Sequence, residues 1–273
     1  MGKTVTISFG NVAENTYGQE KIGQEGYPGF DYKKLKLAAR YAKKKYGCDY
    51  YLYDLRKLLL DDYDAPEAYV LVIKGLFKDL KKDAKKAFSK NEEKIEEDVI
   101  KTVGWDMKEY STRFGRLNNL RARYKLCFSS TMEKIKRKPK YEKGKGTIYN
   151  MKNLPILNSM YIIVKDIVDY SFQDDVELHA EGNYYYDSDK TYIGPHRDRE
   201  RALTVLCRFM KRMDSHFAWY YGTQRISNIA TFSNIEAGDV YIMTEFACGN
   251  QVHGKLSVKH AAGDIKLVRK AFK

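Results

Sequence analysis

The spacing of apolar residues changes along the chain. In "DYKKLKLAARYAKKKYG", Leu35, Leu37, Ala38 and Tyr41 gather on one side and lysines cover the other. That spacing predicts a helix, with Gly47 as its stop. Before it come a strand-like "KTVTISF" and a glycine-rich loop, "YGQEKIGQEGYPGF". After it, "APEAYVLVIKGL" predicts a buried strand with a turn behind it. The next stretch, "KDLKKDAKKAFSKNEEKIEEDVIKTV", alternates lysine and glutamate in blocks and reads as a solvated helix.

The texture changes beyond Leu154. A helical run, "SMYIIVKDIVDYSF", is followed by "AEGNYYYD", "ALTVLCRFM", "HFAWYYG", "NIATFSN", "GDVYIMTEF", "KLSVKHAA" and "DIKLVRKAF". These short apolar runs, separated by turn signals, predict a β sandwich or barrel. The chain therefore reads as α+β. An N-terminal α/β layer over residues 1–120 packs on a double-sheet β core over residues 121–273.

Composition adds four constraints. With 273 residues, 43% of them apolar, the chain can bury a substantial core. No apolar run is long enough to span a bilayer, and "MGKTVTISFG" lacks the shape of a secretion signal, so an intracellular protein is expected. The four cysteines (Cys48, Cys127, Cys207 and Cys248) form no C-x-x-C pair and are expected as reduced thiols, two or three of them in the core. The net charge of +13 favours a polyanionic partner, with nucleic acid the usual one. The basic stretch "KIKRKPKYEKGKGT" (Lys134 to Thr147) is expected as a loop or hairpin tip able to touch phosphates.

Only five histidines are present, and one of them lies in "IGPHRDRE". His196 and Asp198, two apart on an extended segment, point to the same side. The strand-like "ALTVLCRF" follows and gives the pair a rigid support. Two histidines and one carboxylate on one face hold non-haem Fe(II) and leave positions open for dioxygen and a co-substrate. The second histidine must come from elsewhere in the chain. His260 is preferred, because it ends a strand pattern and precedes small residues; His253, in a glycine-flanked loop, is the alternative. His179 and His216 have no such carboxylate neighbour and read as structural. A dicarboxylate co-substrate also needs a cation in the core. Arg269 on the expected last strand is the choice, with Lys266 the substitute.

"GNYYYDSDKTYIGPHRDRE" resembles the Asn-x-Tyr … His-x-Asp-x-Glu stretch of AlkB-like Fe(II)/2-oxoglutarate dioxygenases. "GDVYIMTE" resembles that family's glycine-led strand before the distal histidine. "RARYKLCF" looks like an upstream strand of its eukaryotic and large-virus branch. The resemblance implies a double-stranded β-helix (jelly-roll) core. It also implies that Asn183 and Tyr185 contact 2-oxoglutarate, that His196 and Asp198 bind iron, and that Glu200 lies beside a substrate base. Arg269 stands without the second arginine usual in that family, and Arg199 replaces an acid often found there.

Three classes of function follow. The first is an oxygenase that hydroxylates or demethylates bases of DNA or RNA. The second is an oxygenase of the same fold acting on a protein side chain or small molecule. The third is a nucleic-acid-binding β domain without metal chemistry. A base in a polynucleotide must be flipped out or single-stranded to react, so aromatic and cationic groups would line the entrance. Tyr184, Tyr186, Trp219, Tyr220, Arg121 and Arg123 are the candidates. No membrane association and no stable protein partner are expected.

Overall fold

The computed structural model of the chain describes residues 2–16, 18–80, 104–120 and 123–272. Most of the charged helical run and Arg121 lie outside these residues. The chain starts with β1 (Thr4–Gly10), β2 (Val12–Thr16) and β3 (Glu20–Gly23), then α1 (Tyr32–Tyr46), β4 (Tyr50–Asp54) and β5 (Tyr69–Ile73). Next come β6 (Lys108–Ser111), β7 (Arg116–Asn119), β8 (Tyr124–Ser129), β9 (Lys136–Arg137), β10 (Ile148–Asn150) and the long helix α2 (Pro155–Phe172). The last part holds β11 (His179–Tyr185), β12 (Ile193–His196), β13 (Thr204–Met210), β14 (Ser215–Tyr221), β15 (Gln224–Arg225) and β16 (Ala230–Phe232). It closes with β17 (Val240–Met243), a single turn α3 (Glu245–Cys248), β18 (Leu256–Ala262) and another short turn, α4 (Ile265–Val268).

The architecture is mixed α+β and mostly sheet. One sheet has nine strands in the order β4-β5-β17-β13-β1-β11-β8-β10-β9. A second, five-stranded sheet runs β12-β18-β14-β15, with β16 also paired to β14. From β11 onward the chain passes back and forth between the two: β11, β13 and β17 join the large sheet, and β12, then β14, β15 and β16, then β18 the small one. The slot between β11 and β13 is filled from the start of the chain, by β1. With β4 and β5 also in the large sheet, residues 1–120 do more than pack on a core formed by 121–273. They supply three of its strands.

Alternation along β1 explains its central place. Val5, Ile7 and Phe9 enter the core on one face of the large sheet, shared with α1 and α2. Thr6 and Ser8 face the other way, toward the small sheet. α1 forms as its pattern predicts. Asp31 caps it by accepting from the Lys34 amide, and Gly47 ends it in a left-handed conformation at φ +65°. A second core lies between the sheets, where Val70, Val72 and Met243 meet Phe217, Trp219 and Val258. All four cysteines are buried and unpaired. Among the described residues no helix is long and apolar enough to cross a membrane.

The last expected strand differs. "DIKLVRKAF" is not a strand: the Asp264 side chain accepts from the Lys266 amide, and a short helix and a 3-10 turn follow. That acid-led cap outweighs the β-branched residues behind it. The basic stretch from Lys134 is an ordered hairpin at the sheet edge, built from β9, a 3-10 turn (Tyr141–Lys143) and β10.

Candidate metal centre and its cavity

A cavity of about 550 Å³ opens between the sheets. One wall carries His196, Asp198 and His260. β12 and β18 run antiparallel, and their register places His196 directly opposite His260. The two rings lie 4.3 Å apart between centroids. His196 Nε2 is 3.5 Å and His260 Nε2 3.6 Å from the same oxygen, Oδ1 of Asp198. One ligand atom from each of the three falls within 4.8 Å of the others, a spacing that suits a single metal ion.

Several contacts hold this face in shape. His196 Nδ1 donates to the Gly194 carbonyl at 2.8 Å. Since a carbonyl only accepts, this partner sets the tautomer and leaves the Nε2 lone pair for a ligand. Asp198 donates its backbone N–H to the Cys248 carbonyl at 3.0 Å, which ties the ligand loop to α3. Its other oxygen, Oδ2, lies 3.6 Å from the buried Arg201. Burial would push the Asp198 carboxyl up. Arg201, followed by the two histidines, more than reverses this and holds it well below the usual range. Burial also lowers His260, with His196 adding to the effect, so His260 stays neutral and able to ligate.

Arg201 is itself caged. Glu181 lies at 3.3 Å and Glu200 at 3.9 Å. Burial, and then the charge of Asp198, raises the Glu200 carboxyl to about 7. Glu200 lines the cavity.

The opposite wall is the inner face of the large sheet. Asn183 on β11, Thr6 on β1 and Arg208 on β13 form one row in register. Asn183 Oδ1 accepts from Arg123 Nε at 2.6 Å, which leaves the amide nitrogen for a ligand. Tyr185 lines the same wall, and burial raises its phenol, keeping it a donor. Arg208 is only 3% exposed. Its two terminal nitrogens donate to the Met213 carbonyl (2.6 Å) and the Tyr241 hydroxyl (3.1 Å). Its Nε has no partner, and neither does the hydroxyl of neighbouring Thr6. Among the described residues no carboxylate pairs with Arg208. Two unsatisfied donors and an uncompensated buried cation therefore sit side by side on the cavity wall.

The other expected site residues fall as follows. His253 is exposed in a loop closing on Leu256, with Asp64 at 4.0 Å, and lies away from the cluster. Arg269 does not serve as the core cation. It is exposed on the 3-10 turn that replaces the expected last strand, outside the cavity lining, and Lys266 is exposed on α4. The buried arginine on the cavity wall is Arg208. The sequence offered one signal for it, a lone charge inside the apolar run "TVLCRFM". Trp219 and Tyr220 are not entrance groups, because both are buried in core clusters. Tyr184 is also buried, and Tyr186 is partly buried against Tyr124. His179 and His216 are buried away from the cavity lining: His179 contacts Glu177, and His216 lies between Thr231 and the Gly263 carbonyl.

Comparison with known proteins found one relative over nearly the whole chain. It is an uncharacterized protein of Acanthamoeba polyphaga mimivirus, 29% identical over 272 residues, covering 98% of both chains. No family model matches the sequence, and no solved structure matches it.

Proposed function

We propose that this chain is an Fe(II)- and 2-oxoglutarate-dependent oxygenase acting on nucleic-acid bases, with a double-stranded β-helix as its catalytic core. The observation that carries the reading is the His196–Asp198–His260 face, set in a cavity whose opposite wall holds a buried arginine with no carboxylate partner among the described residues. The alternation of β11 to β18 between two sheets supports the fold. An eighth strand would continue the alternation in the slot that β1 fills, which accounts for the missing last strand.

The donor set fits ferrous iron: two neutral imidazole Nε2 atoms and one ionised carboxylate oxygen converge, and no thiol competes. When bound, the iron supplies activation of dioxygen for insertion into a C–H bond, and the protein's own work is positioning. His196, Asp198 and His260 would hold the metal. Arg201 would keep Asp198 turned so that Oδ1 serves the metal side. Arg208 and Thr6 would bind the distal carboxylate of 2-oxoglutarate, since a carboxylate accepts from both unsatisfied donors. Asn183 and Tyr185 would orient the co-substrate from the next strand. Glu200, Arg197 and Arg199 would meet the substrate at the wall that carries the metal face. A hydroxylated N-methyl group falls away as formaldehyde, while a hydroxylated C-methyl group remains an alcohol.

A second reading keeps the chemistry and changes the substrate to a small molecule or protein side chain. The burial of Trp219 and Tyr220 favours it, because it removes two of the expected base-stacking rings. The deciding assay measures succinate formed from 2-oxoglutarate with Fe(II) and ascorbate, with and without methylated single-stranded DNA, alongside His196→Ala. Turnover that needs His196 and rises with DNA supports the base oxygenase. Turnover that needs His196 and ignores DNA selects the second reading. Absence of both His196-dependent turnover and metal binding returns the protein to the class of binding domains.

A further inference from the structure

We propose that the β6–β7 hairpin docks single-stranded nucleic acid, with Phe114 as a base-stacking platform between two arginines. This deepens the substrate class proposed above and rests on that reading. The hairpin is a two-stranded sheet that joins neither large sheet. Such a ribbon is marginal unless anchored. Its anchors lie along β6, where Glu109 pairs with Lys125 at 3.1 Å and Gln19 donates to the Tyr110 carbonyl at 2.8 Å. Lys125 also lines the cavity, so the ribbon is tied to the wall of the candidate site.

The tip reads Arg113-Phe114-Gly115-Arg116. Gly115 takes φ +59° and closes the turn. Phe114 is 59% exposed at this outermost point, where small polar residues are the rule. The Arg113 and Arg116 guanidinium carbons lie 5.3 and 5.8 Å from its ring centroid. Among the described residues neither arginine has a carboxylate partner. An exposed ring flanked by fork-shaped cations is the arrangement that stacks a base and holds the phosphates on either side of it.

The neighbouring surface continues the charge. The ribbon packs against the 3-10 turn Tyr141–Lys143, beside exposed Lys138, Lys140, Lys143 and Lys145, with Glu142 the acid among them. Lys140 and Lys145 are bridge partners that exchange backbone hydrogen bonds, which sets two like charges directly opposite each other. That placement is unfavourable alone and is relieved by a bound polyanion. The base faces of a duplex are hidden by stacking, whereas a single strand offers them to Phe114. Single-stranded nucleic acid is therefore the occupant.

The test is fluorescence anisotropy of a labelled single-stranded oligonucleotide at several salt concentrations. Phe114→Ser is expected to weaken binding roughly tenfold with little change in the salt slope. Arg113→Ala with Arg116→Ala is expected to flatten the slope by about 0.7 per arginine. Unaltered binding in both variants overturns the proposal. So does tighter binding of duplex, or binding of heparin that matches the oligonucleotide. His196→Ala is expected to bind the oligonucleotide like the unmodified chain. The docking result thus stands apart from iron chemistry, and loss of turnover in the unmodified chain would count against the oxygenase alone.

Discussion

His196 and His260 meet across the β12–β18 pair and aim Nε2 at the same oxygen of Asp198, at 3.5 and 3.6 Å. Strand register makes this site. A slip of one residue on β18 would turn His260 to the outer face of the sheet, because side chains alternate.

His260→Ala and Asp198→Asn should each abolish Co(II) binding, used as a spectroscopic stand-in for Fe(II), whereas His253→Ala should leave it unchanged. Visible absorption on titration checks this. Retained binding in His260→Ala would remove β18 from the centre.

Arg208 should be the carboxylate anchor. A charge-assisted hydrogen bond contributes about 1.5–3 kcal/mol, so Arg208→Met should raise the 2-oxoglutarate concentration for half-maximal turnover at least about tenfold. Arg269→Ala, on an exposed turn, should not. Steady-state succinate assays separate the two. Equal effects of both substitutions would count against Arg208.

What could be read from the sequence was local. His196 and Asp198 are two apart, so a single extended segment presents them together whatever the rest of the fold does. His260 could be chosen because a strand pattern ends there among small residues. Arg208 could not be chosen the same way. It stands opposite Thr6 in the β1–β13 register and donates to Tyr241 on β17, so its place on the cavity wall depends on residues far away in the chain. The placement of β1 between β11 and β13 is likewise a non-local pairing that leaves no trace in the period of "KTVTISF". Arg269 leaves the expected strand for a local reason, since Asp264 starts a helical turn ahead of β-branched residues that favour a strand.

Acid should destabilise the metal-free fold. Burial lowers the pKa of both His179 and His216 below their ordinary 6.5. Between the folded and unfolded values the unfolded chain binds more protons, so stability rises with pH. Their contribution is complete above about pH 6.5 and is lost as pH falls through the lowered folded values. Urea midpoints between pH 7.5 and 5, taken with a chelator present, should fall toward acid. His216→Gln, which cannot charge, should flatten part of that dependence. An identical pH profile in the variant would exclude His216 as a contributor.

Gly249 should couple the fold to the metal face. It ends α3 at φ +84°, where a side chain is strained. A Cβ there would also stand 2.8 Å from the Val258 carbonyl oxygen and 2.7 Å from Arg197 Cγ. The backbone oxygen belongs to β18 and cannot move aside without carrying that strand with it. Gly222→Ala is the matched control, because Gly222 has φ +62° with open space around it. The control should show the cost of the left-handed backbone alone, about 1 kcal/mol, and Gly249→Ala should cost about 1–3 kcal/mol more. The neighbouring Cys248 carbonyl holds the Asp198 amide. Gly249→Ala should therefore also weaken Co(II) binding, and Gly222→Ala should not. Urea unfolding and metal titration of the two variants check both halves. Equal destabilisation with unchanged metal affinity would show that α3 does not position Asp198.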